Sequence, residues 1–405
     1  MVTKIKDLRY RIVKGVASVI SPLVFPVWLA APRRARVRVT ARCKSHCHVS
    51  AAHNTFSRSA TALNTARPEA KARTEGGALA GSALNGPSWP RTALLRKSIP
   101  DVGTFMLAQS AHFGAVGYPY PPPFHSTVVL GEQNQPMAMR LAVWPEPRPG
   151  LLVVHGLFNH GGFDYVRRIA VSAYRNWRFN VGVLDLRGFG RTSRLSKAPT
   201  SAGWKESSDL FAAASRLKDS GSTSVGVYAV SFGASAALRA SHDSGATAML
   251  QGGVLSISSP ADTELAAKQL SNADRPLIGP ILRSLVARAI RARTTQDTWG
   301  ESVRTLEDAV IQVSAPYYGV SGDDIWKLSS AANYIAACKV PTLIIHARDD
   351  IVISVEHAEM LRDRAARNPN VEVLLTDHGD HGAFDKAYPG WHNDVERRFF
   401  MTHAH

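Results

Sequence analysis

Short apolar runs separated by longer, more polar stretches are the feature of this sequence that most constrains its fold. Residues 125–131 and 137–144 are two short runs joined by turn residues, and this pattern predicts an antiparallel hairpin. Six further apolar runs follow, namely Leu151–Val154, Asn180–Leu184, Ser224–Val230, Gly253–Ile257, Pro341–Ile345 and Val371–Leu375. Strands that are apolar at nearly every position are typical of a sheet covered by helices on both faces.

The stretches between these runs are long enough for crossover helices. Lys205–Lys218 and Ala234–Ser241 are two such stretches, and a helix is the usual connection between parallel strands. The sequence therefore predicts an α/β fold with a mostly parallel sheet, helices on both faces and antiparallel N-terminal strands.

One connection is much longer than the others. More than 80 residues separate Ile257 from Pro341, and they include a candidate amphipathic helix, Pro280–Ala292. Ligands of open α/β sheets bind beyond the carboxyl ends of the strands, so we expect residues 262–330 to form a helical cap insertion over a pocket. Helices packed on an edge of the sheet are the structural alternative.

The N-terminal hundred residues differ in charge from the rest of the chain. The formal net charge is +16, but residues 1–98 contain 18 Lys and Arg against 3 Asp and Glu. Residues 99–405 are therefore nearly neutral, and the basic character does not indicate a nucleic-acid site in the main domain. We predict a basic leader at 1–98, a folded domain at 99–405 and no nucleic-acid partner.

Within the leader, residues 15–31 carry no charge and are flanked by basic residues. Their number is at the lower limit for a bilayer span, so membrane contact, a transit-type or disordered leader, and an extension without function all stay open. Residues 51–90 have the composition of a flexible linker. The expected location is the cytoplasm or, through the leader, a membrane surface.

Two groups of residues resemble metal ligands but lack the partners that a metal site needs. The first group consists of Cys43, His46, Cys47 and His48, with no second pair nearby. The second is the run at 377–381, for which no other suitable cluster occurs. The chain also has no Walker-type phosphate-binding sequence. We therefore expect neither a metal nor a cofactor.

Ser231 is the strongest candidate for a catalytic nucleophile. It lies between a predicted strand ending at Val230 and a predicted helix, with the small residues Ala229 and Gly233 two positions before and after it. Small residues permit the tight strand-to-helix turn from which a nucleophilic serine projects. A serine that only caps a helix is the alternative.

A nucleophilic serine needs a histidine base, and the base needs an acid that orients it. Asp349 and Asp350 follow the seventh predicted strand, and His378 and His381 follow the eighth. We favour Asp350 as the acid, with Asp349 as the second choice. We favour His381 as the base because glycines flank it, with His378 as the second choice. A solvated loop is the alternative.

An oxyanion formed during acyl transfer needs N–H donors that are already in place. The amide of Phe232 follows the nucleophile, and the amide of Leu157 lies in the glycine-rich turn after the third predicted strand. We predict that these two amides form the oxyanion hole. For the Leu157 amide, an ordinary glycine-rich turn at the end of a strand is the alternative.

Four segments together resemble the α/β-hydrolase superfamily, in the order that the superfamily has along the chain. They are His155-Gly156-Leu157, Asp185–Thr192, the turn around Ser231, and the strand ends that carry Asp350 and His381. Residues 308–330 resemble the YheT-like branch, whose members are esterases, lipases or acyltransferases, some of them membrane-anchored. The resemblance covers about residues 120–400.

The resemblance implies an α/β-hydrolase fold, and it implies that Asp185 and Arg187 tie loops together near the site. The chain departs from the usual pattern at two positions. Ala229 stands in place of a glycine, and Ile351 stands where the branch often has proline. Neither departure removes a reacting group.

The residues and the resemblance together imply a serine hydrolase that cleaves a small-molecule carboxylic ester, or a similar acyl compound, through an acyl-enzyme intermediate. In this hypothesis Ser231 attacks the carbonyl, His381 transfers the proton and Asp350 orients the imidazole. Acyl transfer to an alcohol by the same residues is one alternative. A non-catalytic binding protein with the same fold is the other. The sequence indicates no oligomeric state.

Overall fold

The computed structural model describes residues 120–271, 303, 305–350 and 352–404. All of them belong to the second of two compact units into which the chain divides, Met1–Ala111 and His112–His405. The predictions for the leader, including the uncharged segment 15–31 and the cysteine–histidine group, fall on residues outside the described ranges. The same holds for the candidate helix Pro280–Ala292 and for Ile351.

An eight-stranded sheet forms the centre of the domain, and every predicted strand is present in it. The strands are β1 (His125–Leu130), β2 (Pro136–Ala142), β3 (Arg148–Val154), β4 (Asn180–Leu184), β5 (Ser222–Val230), β6 (Val254–Ile257), β7 (Thr342–Ala347) and β8 (Val371–Thr376). Their spatial order is β1-β2-β4-β3-β5-β6-β7-β8. The pairs β1–β2 and β2–β4 are antiparallel, and the others are parallel. The predicted α/β fold with antiparallel N-terminal strands is confirmed.

Helices connect the strands and follow them. The α-helices are α1 (Asp164–Arg175), α2 (Thr192–Leu195), α3 (Trp204–Asp219), α4 (Phe232–His242), α5 (Ala246–Met249), α6 (Thr263–Ser271), α7 (Leu306–Ala309), α8 (Ala315–Tyr318), α9 (Gly322–Ser329), α10 (Val355–Ala365), α11 (Phe384–Ala387) and α12 (Arg398–His403). Single 3₁₀ turns lie at Glu132–Asn134, Ala331–Asn333 and Ile335–Ala337. π-Helical turns lie at Val310–Ser314 and His392–Arg397.

The sheet separates two apolar cores, which explains why its strands are apolar at nearly every position. Leu152 and Val154 of β3 pack into one core, whereas Leu151 and Val153 pack into the other. Successive side chains of a strand point to opposite faces, and both faces are covered here. A strand in this environment therefore loses the polar–apolar alternation of a half-exposed strand.

The described part of the long connection is helical and packs beside the carboxyl ends of the strands. It includes α6 to α9, and its own apolar cluster contains Val310 and Trp326. Phe158, in the loop after β3, packs against an apolar cluster that contains Leu270, and Leu306 packs against the same cluster. The described part of the insertion therefore borders the edge of the sheet where the candidate catalytic residues lie, and a cap over a pocket stays a prediction.

Candidate active site

Ser231 occupies a strained turn between β5 and α4. Its φ and ψ angles are 56° and −125°, a backbone conformation that residues other than glycine seldom adopt. Its amide donates a hydrogen bond to the carbonyl oxygen of Ile257 at 2.7 Å, which holds the turn against the end of β6. The backbone therefore bends sharply at the residue that the sequence singles out as a nucleophile.

The residue two positions after Ser231 has to be glycine because α4 starts very close to β3. A methyl group at Gly233 would overlap the carbonyl oxygen of His155 and lie 2.9 Å from Cγ1 of Val154. Ala229, the residue two positions before Ser231, is fully buried between β3 and β6. The methyl group that replaces the usual glycine hydrogen thus fits there without a change of fold.

We expect Gly233→Ala to destabilise the protein by about 1–3 kcal/mol, because the new methyl group meets backbone atoms that cannot rotate away. The matched control is Gly245→Ala, where the nearest atoms, on the Phe211 ring, are 3.7 Å away. The control should change stability by less than about 0.5 kcal/mol. Urea unfolding measures both, and equal effects of the two substitutions would contradict the steric explanation.

His381 and Asp350 form a buried acid–base pair. Nδ1 of His381 lies 2.9 Å from Oδ2 and 3.2 Å from Oδ1 of Asp350. The Asp350 side chain has no exposed surface, and that of His381 is 13% exposed. Oδ1 of Asp350 also accepts hydrogen bonds from the amides of Val352 and Ile353, at 2.9 and 3.0 Å. These contacts hold the carboxylate directed at one ring nitrogen.

The charges of this pair shift its two pKa values in opposite directions. Burial by itself would raise the pKa of Asp350, but His381 and the hydrogen bonds to the carboxylate outweigh it and lower the pKa. Burial by itself would lower the pKa of His381, but the Asp350 carboxylate raises it above the ordinary 6.5. Asp350 is therefore ionised at neutral pH and stabilises a positive charge on the imidazole.

The second-choice residues form a separate and more exposed pair. Nδ1 of His378 lies 3.3 Å from Oδ2 of Asp349, and their side chains are 38% and 32% exposed. Oδ1 of Asp349 accepts a hydrogen bond from the amide of Asp380 at 2.8 Å. Asp349 thus orders the loop that carries His381, whereas the buried position belongs to Asp350.

The loops around Ser231 converge on it from two sides. A methyl group at Gly156, after β3, would lie 3.2 Å from Cβ of Ser231. A methyl group at Gly382 would lie 3.6 Å from Cγ1 of Val230, so the residue after His381 packs on the residue before the serine. Within the described ranges, no hydrogen bond joins the Ser231 hydroxyl to His381. Such contacts are often long before a substrate binds.

The two amides predicted to bind an oxyanion lie in ordered turns beside Ser231. The Phe232 amide is at the first position of α4, where a helix leaves its N–H groups without intrahelical partners. The turn that contains Leu157 is held by Tyr165, whose hydroxyl accepts hydrogen bonds from the Gly156 amide at 2.9 Å and the Asn159 side chain at 3.1 Å. Sequence reasoning missed Tyr165, because only the folding of α1 against this turn brings it there.

His155 ties the turn after β3 to the loop after β4, and it is not a base. Its ring is fully buried, and Nε2 accepts a hydrogen bond from the amide of Leu186 at 3.0 Å. The proton is therefore on Nδ1, which donates to the carbonyl oxygen of Gly156 at 2.8 Å. Burial lowers the pKa of His155, so the ring stays neutral as a structural link.

Asp185 and Arg187 connect loops around the site, in the role that the resemblance implies. Asp185 accepts hydrogen bonds from the amides of Gly161 and Arg191. Arg187 makes two hydrogen bonds to the buried carboxylate of Asp209 in α3, at 2.6 and 2.7 Å. Burial raises the pKa of Asp209 to about 6, and Arg187 opposes that rise.

Arg187 also donates a hydrogen bond to the hydroxyl of Tyr318 in α8, at 3.2 Å. The same hydroxyl donates to the carbonyl oxygen of Pro199 at 2.6 Å. The loop after β4 is thereby fixed to a helix of the insertion.

Two negative findings apply to the described residues. They contain no group of three or more His, Cys, Asp or Glu side chains arranged to hold a metal ion. They also contain no helix with both the length and the apolar composition that crossing a membrane requires.

Comparisons with known proteins identify the family. The family described as "Serine aminopeptidase, S33" matches residues 145–385, more than half of the chain. No curated protein matches at a significant level. Two crystal forms of the Pyrococcus furiosus esterase Pf2001 are similar in structure, with TM-scores of 0.53 and 0.52 at 18% sequence identity.

The similarity to the esterase covers 72% of this chain and 98% and 97% of the two esterase chains. At this identity, the similarity shows the fold alone. Membership of the YheT-like branch stays a prediction, as do the roles of the individual site residues. The family match over residues 145–385 and the eight-stranded sheet show that this chain belongs to the serine aminopeptidase S33 family of the α/β-hydrolase superfamily.

Proposed function

We propose that this protein is a serine hydrolase that cleaves a carboxylic ester through an acyl-enzyme intermediate. One observation carries the proposal. A buried Asp350–His381 pair lies on loops that pack against the strained turn of Ser231. A strained serine beside an acid–histidine pair is costly to maintain and is typical of a catalytic site.

In the proposed mechanism, Oγ of Ser231 attacks the carbonyl carbon of the ester while Nε2 of His381 takes the hydroxyl proton. The Asp350 carboxylate stabilises the resulting imidazolium. The Leu157 and Phe232 amides stabilise the tetrahedral oxyanion. His381 then gives the proton to the leaving alcohol, and water repeats the sequence on the acyl-enzyme to release the acid.

The surroundings of the site favour an apolar acyl group. The Phe189 ring lies 6.1 Å from that of Phe158 and 6.0 Å from that of Phe232, centre to centre. Phe158 follows one predicted oxyanion donor, and Phe232 is the other. Of these three rings, Phe189 and Phe232 are buried in the core and Phe158 is partly exposed, so the Phe158 ring is the one that would favour an uncharged, apolar acyl chain by the hydrophobic effect. Acyl transfer to an alcohol would use the same residues, and added alcohol in the assay distinguishes it by its product.

The test of this proposal combines a substrate series with covalent labelling. The substrate series consists of p-nitrophenyl esters of increasing chain length, which we expect the protein to hydrolyse. We also expect a fluorophosphonate probe to label Ser231, and peptide mass spectrometry locates the labelled residue. An aminoacyl p-nitroanilide serves as the amide substrate for comparison and should react more slowly. Labelling of no serine, together with no hydrolysis of any ester, would favour the non-catalytic alternative.

The activity should depend on pH through His381. The base has to be neutral to accept the serine proton, and the Asp350 carboxylate raises its pKa above 6.5. We therefore expect kcat/KM to fall as the pH decreases through a value above 6.5, measured with a p-nitrophenyl ester. An acidic limb below that value would show that His381 is not the titrating base.

A further inference from the structure

His346 is a buried histidine that lies four residues before Asp350, near the end of β7. Its side chain has no exposed surface, and Nε2 lies 3.0 Å from the carbonyl oxygen of Ile353. The same nitrogen lies 3.8 Å from Oδ2 of Asp350. The Ile353 amide in turn donates a hydrogen bond to Oδ1 of Asp350 at 3.0 Å. His346 therefore contacts both the carboxylate and the turn that binds it.

The hydrogen-bond partners of the ring determine its protonation state. A carbonyl oxygen can only accept, so Nε2 of His346 carries a proton and donates it to Ile353. Nδ1 is buried and has no partner among the residues that the structure describes. A second proton there would be an unsatisfied buried donor, which is costly. The ring is therefore neutral, with its single proton on the side of the turn.

The charges around this ring agree with a neutral state. Burial lowers the pKa of His346, and His381 lowers it further, while Asp350 raises it. His357 also interacts with the ring. Because His346 is neutral, the Asp350 carboxylate is available to stabilise a positive charge on His381. A charged His346 ring would compete with His381 for the same carboxylate.

We propose that His346 is a positioning residue for ester hydrolysis, holding Ile353 so that the Asp350 carboxylate, which the Ile353 amide binds, stays directed at Nδ1 of His381. This inference rests on the proposed function, because it assigns a role relative to the same acid–base pair. The Ile353 carbonyl is fixed by His346, and the Ile353 amide fixes Asp350. Loss of the first contact should therefore loosen the second.

The experiment compares His346→Met with His346→Gln. Glutamine and methionine have nearly the same length and volume, but only glutamine has an N–H group that can replace Nε2. We expect His346→Met to lower kcat by about tenfold to a hundredfold with little change in KM, because a misdirected carboxylate weakens proton transfer. We expect His346→Gln to stay within about threefold of the parent.

The pH profile distinguishes positioning from packing. Besides Asp350, the charged group that faces His381 is Asp380, and neither substitution touches it. If His346→Met loosens Asp350, the pKa of His381 falls and the acidic limb moves to lower pH, whereas the limb of His346→Gln stays in place. Equal losses in both variants, with an unmoved limb, would overturn the proposal, since that result indicates packing alone.

A second readout separates this inference from the proposed function. NMR titration of the His381 ring, assigned with a His381→Asn variant, measures its pKa without any turnover. A lower pKa in His346→Met than in His346→Gln supports the positioning role even if no ester is hydrolysed. Equal pKa values in the folded variants overturn it, whatever the activity of the parent protein.

Discussion

Ser231→Ala is expected to lower kcat/KM for a p-nitrophenyl ester by at least about 10⁴-fold, because no other group in the proposed mechanism can form the acyl-enzyme. The measurement is the initial rate at saturating and limiting ester concentrations. Fluorophosphonate labelling should disappear in the same variant. The matched control is Ser235→Ala, one turn later on α4, whose hydroxyl lies 3.4 Å from the carbonyl oxygen of Ser329. The control should keep its activity within a few-fold.

Stability measurements on the same position separate loss of chemistry from loss of fold. Ser231 has a φ of 56°, which costs about 1–3 kcal/mol for a residue with a side chain. Ser231→Gly removes that strain, but the greater conformational freedom of glycine in the unfolded chain lowers the free energy of unfolding by about 0.5–1 kcal/mol. We therefore expect the glycine variant to be about 1 kcal/mol more stable than the alanine variant and equally inactive. Residual hydrolysis near the parent level in either variant would refute the nucleophile assignment.

Asp350→Asn is expected to give the second large effect, a loss of about 10³- to 10⁴-fold in kcat. An asparagine keeps the shape but not the charge, so the imidazolium loses its counter-ion and His381 can adopt the wrong tautomer. The pKa of His381 should fall at the same time, because the Asp350 carboxylate is what raises it. The measurements are kcat against pH and the midpoint of thermal unfolding.

Asp349→Asn is the control for this assignment, since the neighbouring carboxylate pairs with His378 at 3.3 Å. Its side chain is 32% exposed, against no exposure for Asp350. Solvent screens the charge of an exposed group, so we expect a change of less than about tenfold, through disorder in the loop. If Asp349→Asn were the more damaging of the two, the acid would have been assigned to the wrong residue.

The strands could be predicted because the residue types of each strand reflect the burial of its two faces. The run Leu151–Val154 is apolar at every position since both faces of β3 are buried, and this property is visible without knowledge of any partner. The turn at Ser231 was also predictable, because the lack of space at Gly233 restricts the residue type locally. The long connection could be recognised from its length.

The sequence favoured Asp350 as the acid and His381 as the base, but it left a second candidate open for each role. Asp349 and Asp350 are adjacent in sequence, and nothing in their flanking residues shows which one is buried. The choice depends on the backbone of two loops 31 residues apart, including φ values of 153° at Gly379 and 47° at Asp380. Tyr165 and His346 were not recognised, since each bonds to a backbone group 9 or 7 residues away that only the folded loop brings within reach.

The sequence by itself therefore determined the α/β sheet, the order of its strands along the chain and the positions at which reactive groups follow strand ends. The tertiary structure decided which of those groups meet, namely that Asp350 lies buried against His381 while Asp349 lies half-exposed against His378. The physical reason is a difference in range. The burial of a strand can be inferred from the residue types of that strand, whereas a hydrogen bond between two loops depends on how distant turns fold against each other.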